Sequence, residues 1–298
     1  AGRTIESEFR MNIIEILASE FGLKVSQVEN TVALIDEGNT IPFIARYRKE
    51  ATHGLDEEQI LYIEKQYKYE LNLAERKEAV LNLIEQQGKL TDDLKAKIVA
   101  AETMVVVEDL YRPYRPKRRT RATIAKEKGL EPLANLISLQ KYNGDIVKEA
   151  QKYVDEEKDV ATAQDAINGA KDIIAEFISD DAEYRKKIRK LTMDKGRLVS
   201  TAKDKEAESV YEMYYEFDEA LNKIAGHRIL AINRGEKEKI LTVKVGAPTE
   251  DIIRYMEKQV IQNPAEEIKV ILQEVIDDAY NRLIAPSIER EIRNDLSE

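Results

Sequence analysis

The stretch DEEQILYIEKQYKYELNLAERKEAVLNLIEQQ, residues 56–87, contains no glycine or proline and decides the fold of the first third of the chain. Asp56 is a good N-cap, because its carboxylate can accept a hydrogen bond from a free N–H at a helix start. Apolar side chains follow at spacings of three, four and seven, on one helical face: Ile60, Ile63, Tyr67, Leu71, Ala74, Leu81 and Ile84. We predict a single helix of roughly 48 Å, at ~1.5 Å per residue.

So long a helix needs partners for its apolar face, and two arrangements can provide them. It can serve as a spine on which other helices of the chain pack, or it can pair with a second copy as a coiled coil. Lys77 and Glu78 interrupt the apolar stripe, and tyrosines occur along it. Both features disfavour a coiled coil, so we predict the spine.

The preceding residues, 5–52, predict three short helices joined by tight turns. The third runs from Ile41 to Lys49, because Thr40 can cap it and proline is tolerated in a first helical turn. It is expected to expose three cations, Arg46, Arg48 and Lys49. The arrangement resembles a helix-turn-helix unit, whose last helix contacts nucleic acid. A small helical bundle whose charges face water explains the same pattern.

The basic stretch YRPYRPKRRTRATIAKEK, residues 111–128, stands out in a chain of net charge −10. Pro113 and Pro116 disfavour a helix, because proline lacks an N–H group and biases its neighbour towards extended geometry. We therefore predict a basic loop between helices. Its cations are the main candidates for nucleic-acid binding: Arg112, Arg115, Lys117, Arg118, Arg119 and Arg121.

Two roles explain these cations equally well. Lysine and arginine clusters contact phosphates, and Tyr111 and Tyr114, which alternate with the arginines, could stack on unpaired bases. Alternatively, the arginines hold an irregular loop in place by bonds to helix-end carbonyls and to the carboxylates of an acidic chain. The sequence leaves both roles open.

The rest of the chain predicts a mainly α fold with a small β element. Helical patterns cover residues 131–139, 145–154, 162–178, 182–193, 249–261, 264–284 and a last segment from Pro286. Residues 197–202 predict a short strand, and two β-branched runs within 228–245 predict a β-hairpin turning at Asn233-Arg234-Gly235. We predict a helical domain over 1–196 and a mixed segment over 197–298. The last helix carries no stop signal, so we expect further domains beyond it.

Motifs for catalysis and cofactor binding are absent from the sequence. It has no cysteine and only two histidines, His53 and His227, and no phosphate-binding glycine loop occurs. The paired acids Asp92/Asp93 and Glu274/Asp278 lie on highly charged helices, where they favour a solvated face. No apolar run approaches the ~20 residues of a membrane span. We expect no enzyme activity, cofactor, metal site, small-molecule substrate or membrane contact, and a cytoplasmic location.

Three blocks of sequence together resemble one family. They are TIPFIARYRKE followed by Gly54-Leu55-Asp56, then the segment around Asp109-Leu110-Tyr111 with KRRTRATIA at residues 117–125, and HRILAINRGE at 227–236. The chain is similar in these blocks to the N-terminal region of the bacterial Tex family of transcription accessory proteins. His53 stands where that family has a small residue.

The resemblance implies a helical N-terminal region of a longer nucleic-acid-binding transcription factor. Its RNase H-like, helix-hairpin-helix and OB-fold RNA-binding domains would follow this chain. We expect a non-enzymatic scaffold that binds RNA or DNA without sequence preference, with RNA polymerase or other transcription machinery as a further partner. A protein-docking scaffold without nucleic-acid contact is the alternative.

Overall fold

The computed structural model describes residues 5–297, the first four of these by their backbone alone. The fold is mainly α with one small antiparallel sheet, as predicted. Two compact units, residues 1–111 and 112–298, divide the chain. Gly196, at the boundary between the predicted domains 1–196 and 197–298, lies inside the second unit.

The first unit is built on the predicted long helix. Its helices are α1 (Ile5–Phe21), α2 (Val25–Asp36), α3 (Ile41–Tyr47), α4 (Lys49–Thr52), α5 (Glu57–Gln86), α6 (Asp92–Ala100) and α7 (Met104–Tyr111). Asp56 caps α5, where its Oδ1 accepts the N–H of Gln59 at 2.8 Å. Helices α1, α2, α3, α6 and α7 all contact α5. The prediction of a spine is therefore confirmed.

The apolar face of α5 differs in part from the predicted stripe. Ile60, Ile63, Tyr67 and Ile84 are buried as expected, but Leu73 and Val80 are buried where Leu71, Ala74 and Leu81 were predicted. The first half of the face packs against α1 and α2 in one apolar cluster with Leu17 and other core residues.

The predicted third helix, Ile41–Lys49, is wrong in its extent. Helix α3 ends at Tyr47, and Arg48, with φ −125° and ψ 38°, interrupts it before the single turn of α4. Thr52 is buried in that turn and its Oγ1 accepts the N–H of Leu55 at 3.3 Å, which directs the chain into α5. The helix-turn-helix interpretation of residues 5–52 remains a prediction.

The second unit begins within the basic stretch. After a 3₁₀ turn, Arg112–Tyr114, come α8 (Arg121–Glu127), α9 (Glu131–Leu139), α10 (Ile146–Gln151), α11 (Ala163–Ser179) and α12 (Ala182–Lys195). The prediction of a loop throughout 111–128 is wrong for its second half. Thr120 caps α8 with a reciprocal pair of bonds to Thr123, and Ala122 and Ala125 bury its inner face.

The sheet follows α12 and has the order β2–β1–β3. Strand β1 (Arg197–Ala202) was predicted and lies in the centre, antiparallel to β2 (Glu216–Ala220) and β3 (Leu241–Gly246). The predicted hairpin over 228–245 is wrong, because its first arm is a helix, α13 (Gly226–Lys237). Buried Ile229 and Ile232 have helical spacing, and Leu241 of β3 pairs with Ala202 of β1.

The remaining helices complete the core of the second unit. They are α14 (Thr249–Val260), α15 (Glu266–Asp278) and α16 (Ala285–Leu296), with a π-helical segment, Ala279–Ile284, between the last two. At the centre lies α11, one face of which is buried throughout: Ala163, Ala166, Ile167, Ala170, Ile173 and Ile174. It contacts α8, α9, α10, α15 and the π segment.

Candidate nucleic-acid interface

The six predicted cations of residues 112–121, which we call the basic segment, have different surroundings. Arg112 lies in the 3₁₀ turn, and Arg121 is the first residue of α8. Arg115, Lys117, Arg118 and Arg119 lie in the irregular chain between them. The six cations follow one another along this stretch, but they differ in exposure and in their ion-pair partners.

Lys117 is engaged with the end of α11. Its Nζ forms an ion pair with Asp180 and lies 3.6 Å from Glu176 Oε1. Only 25 % of its side chain is exposed. Burial raises the pKa of Asp180, and the bond from Lys117 opposes that rise. Of the two roles left open by the sequence, Lys117 has the structural one.

Three other cations of the basic segment differ in their surroundings. Arg119 Nη2 is 3.3 Å from Glu127 Oε2, with both side chains mostly exposed, so this pair contributes little to stability. Burial raises the pKa of Asp172, while the charges of Arg282 and then Arg121 oppose the rise. The Nε of Arg112 is buried, and among the described residues it has no hydrogen-bond partner.

The outer side of the basic segment is solvent-exposed. Arg115, Arg118, Arg119 and Arg121 are all exposed, as is Lys126 one turn into α8. These residues form a positive surface on a chain of net charge −10. Such a surface can contact phosphates, because local charge and not net charge decides binding.

The prediction that Tyr111 could stack on bases is wrong. Its side chain is only 4 % exposed, and its ring lies under the guanidinium of Arg76, whose Cζ is 5.3 Å from the ring centroid. Arg76 also donates to both carboxylate oxygens of Glu108, at 2.6 and 3.3 Å. Tyr111 is therefore a core residue of the first unit.

Of the three predicted cations of the first unit, Arg46 lies on α3, Lys49 begins α4, and Arg48 lies between the two helices. Arg46 and Lys49 are exposed, whereas Arg48 Nε donates to Glu50 Oε1 at 2.7 Å. This bond from Arg48 lowers the pKa of Glu50. The prediction that α3 exposes basic residues is confirmed for Arg46. Arg48 is instead paired with Glu50, two residues later in the sequence.

Sequence reasoning missed the aromatic residues of the same surface. Phe43 and Tyr47 are 42 % and 63 % exposed, and their ring centroids lie 5.4 Å apart. Their spacing of four was a usable signal, because it places two side chains on one helical face. We name Phe43, Arg46, Tyr47 and Lys49 the α3 surface.

Two protein-family models match this chain, one within each compact unit. The family model described as "Tex-like protein N-terminal domain" matches residues 11–85, and the model "Tex central region-like" matches residues 143–298, more than half of the chain. This chain belongs to the Tex family. The Tex N-terminal match covers α2 to α4 and nearly all of α5, and the Tex central match contains α11 and the sheet.

Relatives from bacteria and from human support the same assignment. The chain is 50 % identical to "Uncharacterized protein YdcI" of Bacillus subtilis over 95 % of its length and 40 % of the relative's. It is 37 % identical to "Transcriptional accessory protein Tex" of Neisseria gonorrhoeae over 97 % and 39 %. It is 28 % identical to human "S1 RNA-binding domain-containing protein 1" over 98 % and 31 %. The chain thus spans two fifths or less of these relatives.

Metal-binding clusters and membrane-spanning helices are both absent from the described part of the chain. Among the described side chains, those of residues 9–297, no group of three or more His, Asp or Glu could hold a metal ion. In the same part of the chain, no helix combines the length and apolarity needed to cross a membrane.

Proposed function

We propose that this chain is the N-terminal scaffold of a Tex-like transcription accessory protein, and that it contributes to sequence-nonspecific nucleic-acid binding without catalysing a reaction. The observation that carries the proposal is the exposed cation group Arg118, Arg119 and Arg121 beside the structurally engaged Lys117. Nucleic acid, as RNA or DNA, is the proposed partner. A cytoplasmic location and contact with RNA polymerase remain predictions.

The proposal follows from charge and from the names of relatives. Arg118 and Arg119 are adjacent in irregular chain, where their side chains can follow a flexible phosphate backbone. Arginine suits this role because its planar guanidinium donates two parallel hydrogen bonds to a phosphate. A human relative is named for an S1 RNA-binding domain, and a bacterial one as a transcriptional accessory protein.

The test is a salt titration of oligonucleotide binding by the full chain. Arg118→Ala/Arg119→Ala should weaken binding to a labelled single strand and reduce the salt slope by about 0.7 for each phosphate that the variant no longer neutralises. The matched control is Lys186→Ala/Lys187→Ala, which removes the same charge from an exposed face of α12. If both double variants behave alike, net charge explains the binding and the basic segment has no specific role.

A protein-docking scaffold is the second candidate, and one groove favours it. A groove of about 400 Å³ runs between α1, α5 and α6, with Phe9, Ile16, Leu81 and Val99 among its apolar lining residues. Exposed apolar surface of this kind commonly marks interaction sites. Val99→Asp should then abolish crosslinking to purified RNA polymerase and leave oligonucleotide affinity unchanged. If the wild-type chain and Val99→Asp crosslink equally to RNA polymerase, the docking-scaffold function is rejected.

A further inference from the structure

The α3 surface combines two aromatic rings and Arg46 on the exposed face of α3 with Lys49, the first residue of α4. Phe43 and Tyr47 are one turn apart, with an interplanar angle of 48°. Tyr47 is the more exposed at 63 %. Single exposed apolar residues are ordinary, but two exposed rings in contact leave a larger apolar area in water. The rings thus present faces that a planar group can cover.

Helix α3 holds these rings outward. On its other side Ile44 and Ala45 are buried in the core of the first unit. Thr40 caps the helix start, where its Oγ1 accepts the N–H of Phe43 at 3.3 Å. The helix cannot turn its aromatic face inward without exposing Ile44. The two rings are therefore pre-organised, which lowers the entropy lost on binding.

The charge of this surface favours an anionic ligand. Arg46 lies between the two aromatic residues in sequence, and Lys49 follows Tyr47 by two residues. Both cations are exposed. Arg48 is paired with Glu50, so that acid does not neutralise Arg46 or Lys49.

We propose that the α3 surface binds single-stranded nucleic acid by stacking unpaired bases on Tyr47 and Phe43. Arg46 and Lys49 contact the adjoining phosphates. Stacking requires an open base face, which a duplex keeps inside its own stack, so the site selects single strands. It also tolerates any sequence, because every base has a π face. This inference rests on the proposed function and adds to it a preference for unpaired bases.

The site differs from a helix-turn-helix reader of duplex DNA. A recognition helix reads base edges in the major groove with hydrogen-bonding side chains. Here the most exposed side chains of α3 include two aromatic rings, of which only Tyr47 carries a hydrogen-bonding group. We therefore expect duplex binding to be limited to charge contacts.

The test compares three probes of equal length: a single strand, the same strand with abasic sites throughout, and a duplex. The wild-type chain should bind the single strand more tightly than the abasic strand. Phe43→Ala/Tyr47→Ala should remove this difference, a loss of about tenfold per stacked base. Its affinity for the abasic strand and its salt slope should stay unchanged. Tyr47→Phe keeps the ring and should bind as the wild type does.

Tyr69→Ala is the matched control, because Tyr69 is 41 % exposed on α5 of the same unit. Circular dichroism checks that the helices of each variant remain folded. If Phe43→Ala/Tyr47→Ala behaves like Tyr69→Ala, or weakens both strands equally, base stacking at this site is wrong. Base stacking is also wrong if Phe43→Ala/Tyr47→Ala loses binding to a protein partner while its affinity for the single strand stays at the wild-type value.

The outcomes separate this inference from the proposed function. Arg118→Ala/Arg119→Ala should weaken the single and abasic strands equally, because those residues contact phosphate alone. If those alanines have no effect while the aromatic variant loses its preference for bases, the basic-segment role fails and stacking stands. If instead Arg118→Ala/Arg119→Ala weakens binding and the aromatic variant keeps its preference for bases, the proposed function stands and the stacking site is rejected.

Discussion

Lys117 of the basic segment forms an ion pair with Asp180, the C-cap residue immediately after α11, 63 positions later in the sequence. Only 14 % of the Asp180 side chain is exposed. Carboxylates are unfavourable at a helix C-terminus, where the helix dipole is negative, and Glu176 lies one turn before. The positive charge of Lys117 offsets the negative charges of Asp180 and Glu176. The basic segment is thus attached to the core of the second unit through one of its own cations.

Replacing Lys117 by Ala should destabilise the second unit in a pH-dependent way. The buried Asp180 would lose its partner, and the cost should be about 2 kcal/mol at pH 7. Burial already raises the pKa of Asp180 above 3.8, so its contribution to stability decreases as pH rises through that raised pKa. Without Lys117 the pKa rises further, and the deficit against wild type should grow from about pH 4 towards neutrality. Urea unfolding across this range measures it.

Two further variants control the Lys117 measurement. Adding Asp180→Asn to Lys117→Ala removes the buried charge and should recover part of the stability at pH 7. Lys126→Ala removes an exposed cation from α8 and should change the free energy of unfolding by less than ~0.5 kcal/mol. A pH-independent deficit in Lys117→Ala would contradict the assignment to Asp180.

Replacing Arg185 by Met should be among the most destabilising changes in the second unit. Its side chain is 1 % exposed, and its Nη1 donates to Ser287 Oγ at 2.7 Å. Its other donors reach the carbonyls of Ser179 and of Leu283, which lies in the π-helical segment. Removal leaves buried acceptors unsatisfied, at a cost of about 3 kcal/mol. Thermal or urea unfolding measures the loss.

Ser287→Ala provides a graded comparison for Arg185. It removes one acceptor of the guanidinium and should cost roughly 1 kcal/mol. If Arg185→Met were no more destabilising than Ser287→Ala, the bonds to the Ser179 and Leu283 carbonyls would contribute nothing.

Replacing Gly235 by Ala should destabilise the packing of α13 on the sheet. A Cβ at this buried position would lie 2.5 Å from Leu241 Cδ1 and 3.2 Å from Tyr211 Cδ1. Overpacking of this kind costs about 1–3 kcal/mol. Gly226→Ala, at the first residue of the same helix, meets no atom within 4 Å and should be neutral or stabilising. Equal unfolding midpoints for the two variants would contradict the close approach.

The same glycine shows why the hairpin prediction failed. Gly235 after an asparagine and an arginine has the composition of a turn, and the β-branched residues before it suggested a strand. The structure uses this glycine inside a helix, because only a residue without a side chain fits against Leu241. That requirement comes from a contact between elements, which a local pattern does not contain. Strand β2 was missed for a similar reason, since its charged residues Glu216 and Asp218 form a strand by pairing with β1.

Local signals were sufficient where caps and apolar periodicity agreed. Asp56 and Thr40 cap their helices as predicted, and α9 has the predicted bounds, Glu131–Leu139. For the interface, the sequence identified the cations but could not separate Lys117 from Arg118. Their difference depends on carboxylates of α11 that are about sixty residues away in sequence.

Replacing Tyr111 by Ala should lower stability and leave nucleic-acid binding unchanged. The ring is buried under Arg76 in the first unit, so its removal eliminates apolar packing and the cation–π interaction, about 3 kcal/mol in total. Urea unfolding measures this cost, and oligonucleotide binding is measured well below the unfolding midpoint. Tyr47→Ala should instead weaken oligonucleotide binding and leave the free energy of unfolding unchanged, because its ring is 63 % exposed. Weaker binding by Tyr111→Ala at unchanged stability would restore Tyr111 as a base-stacking residue and contradict its place in the core.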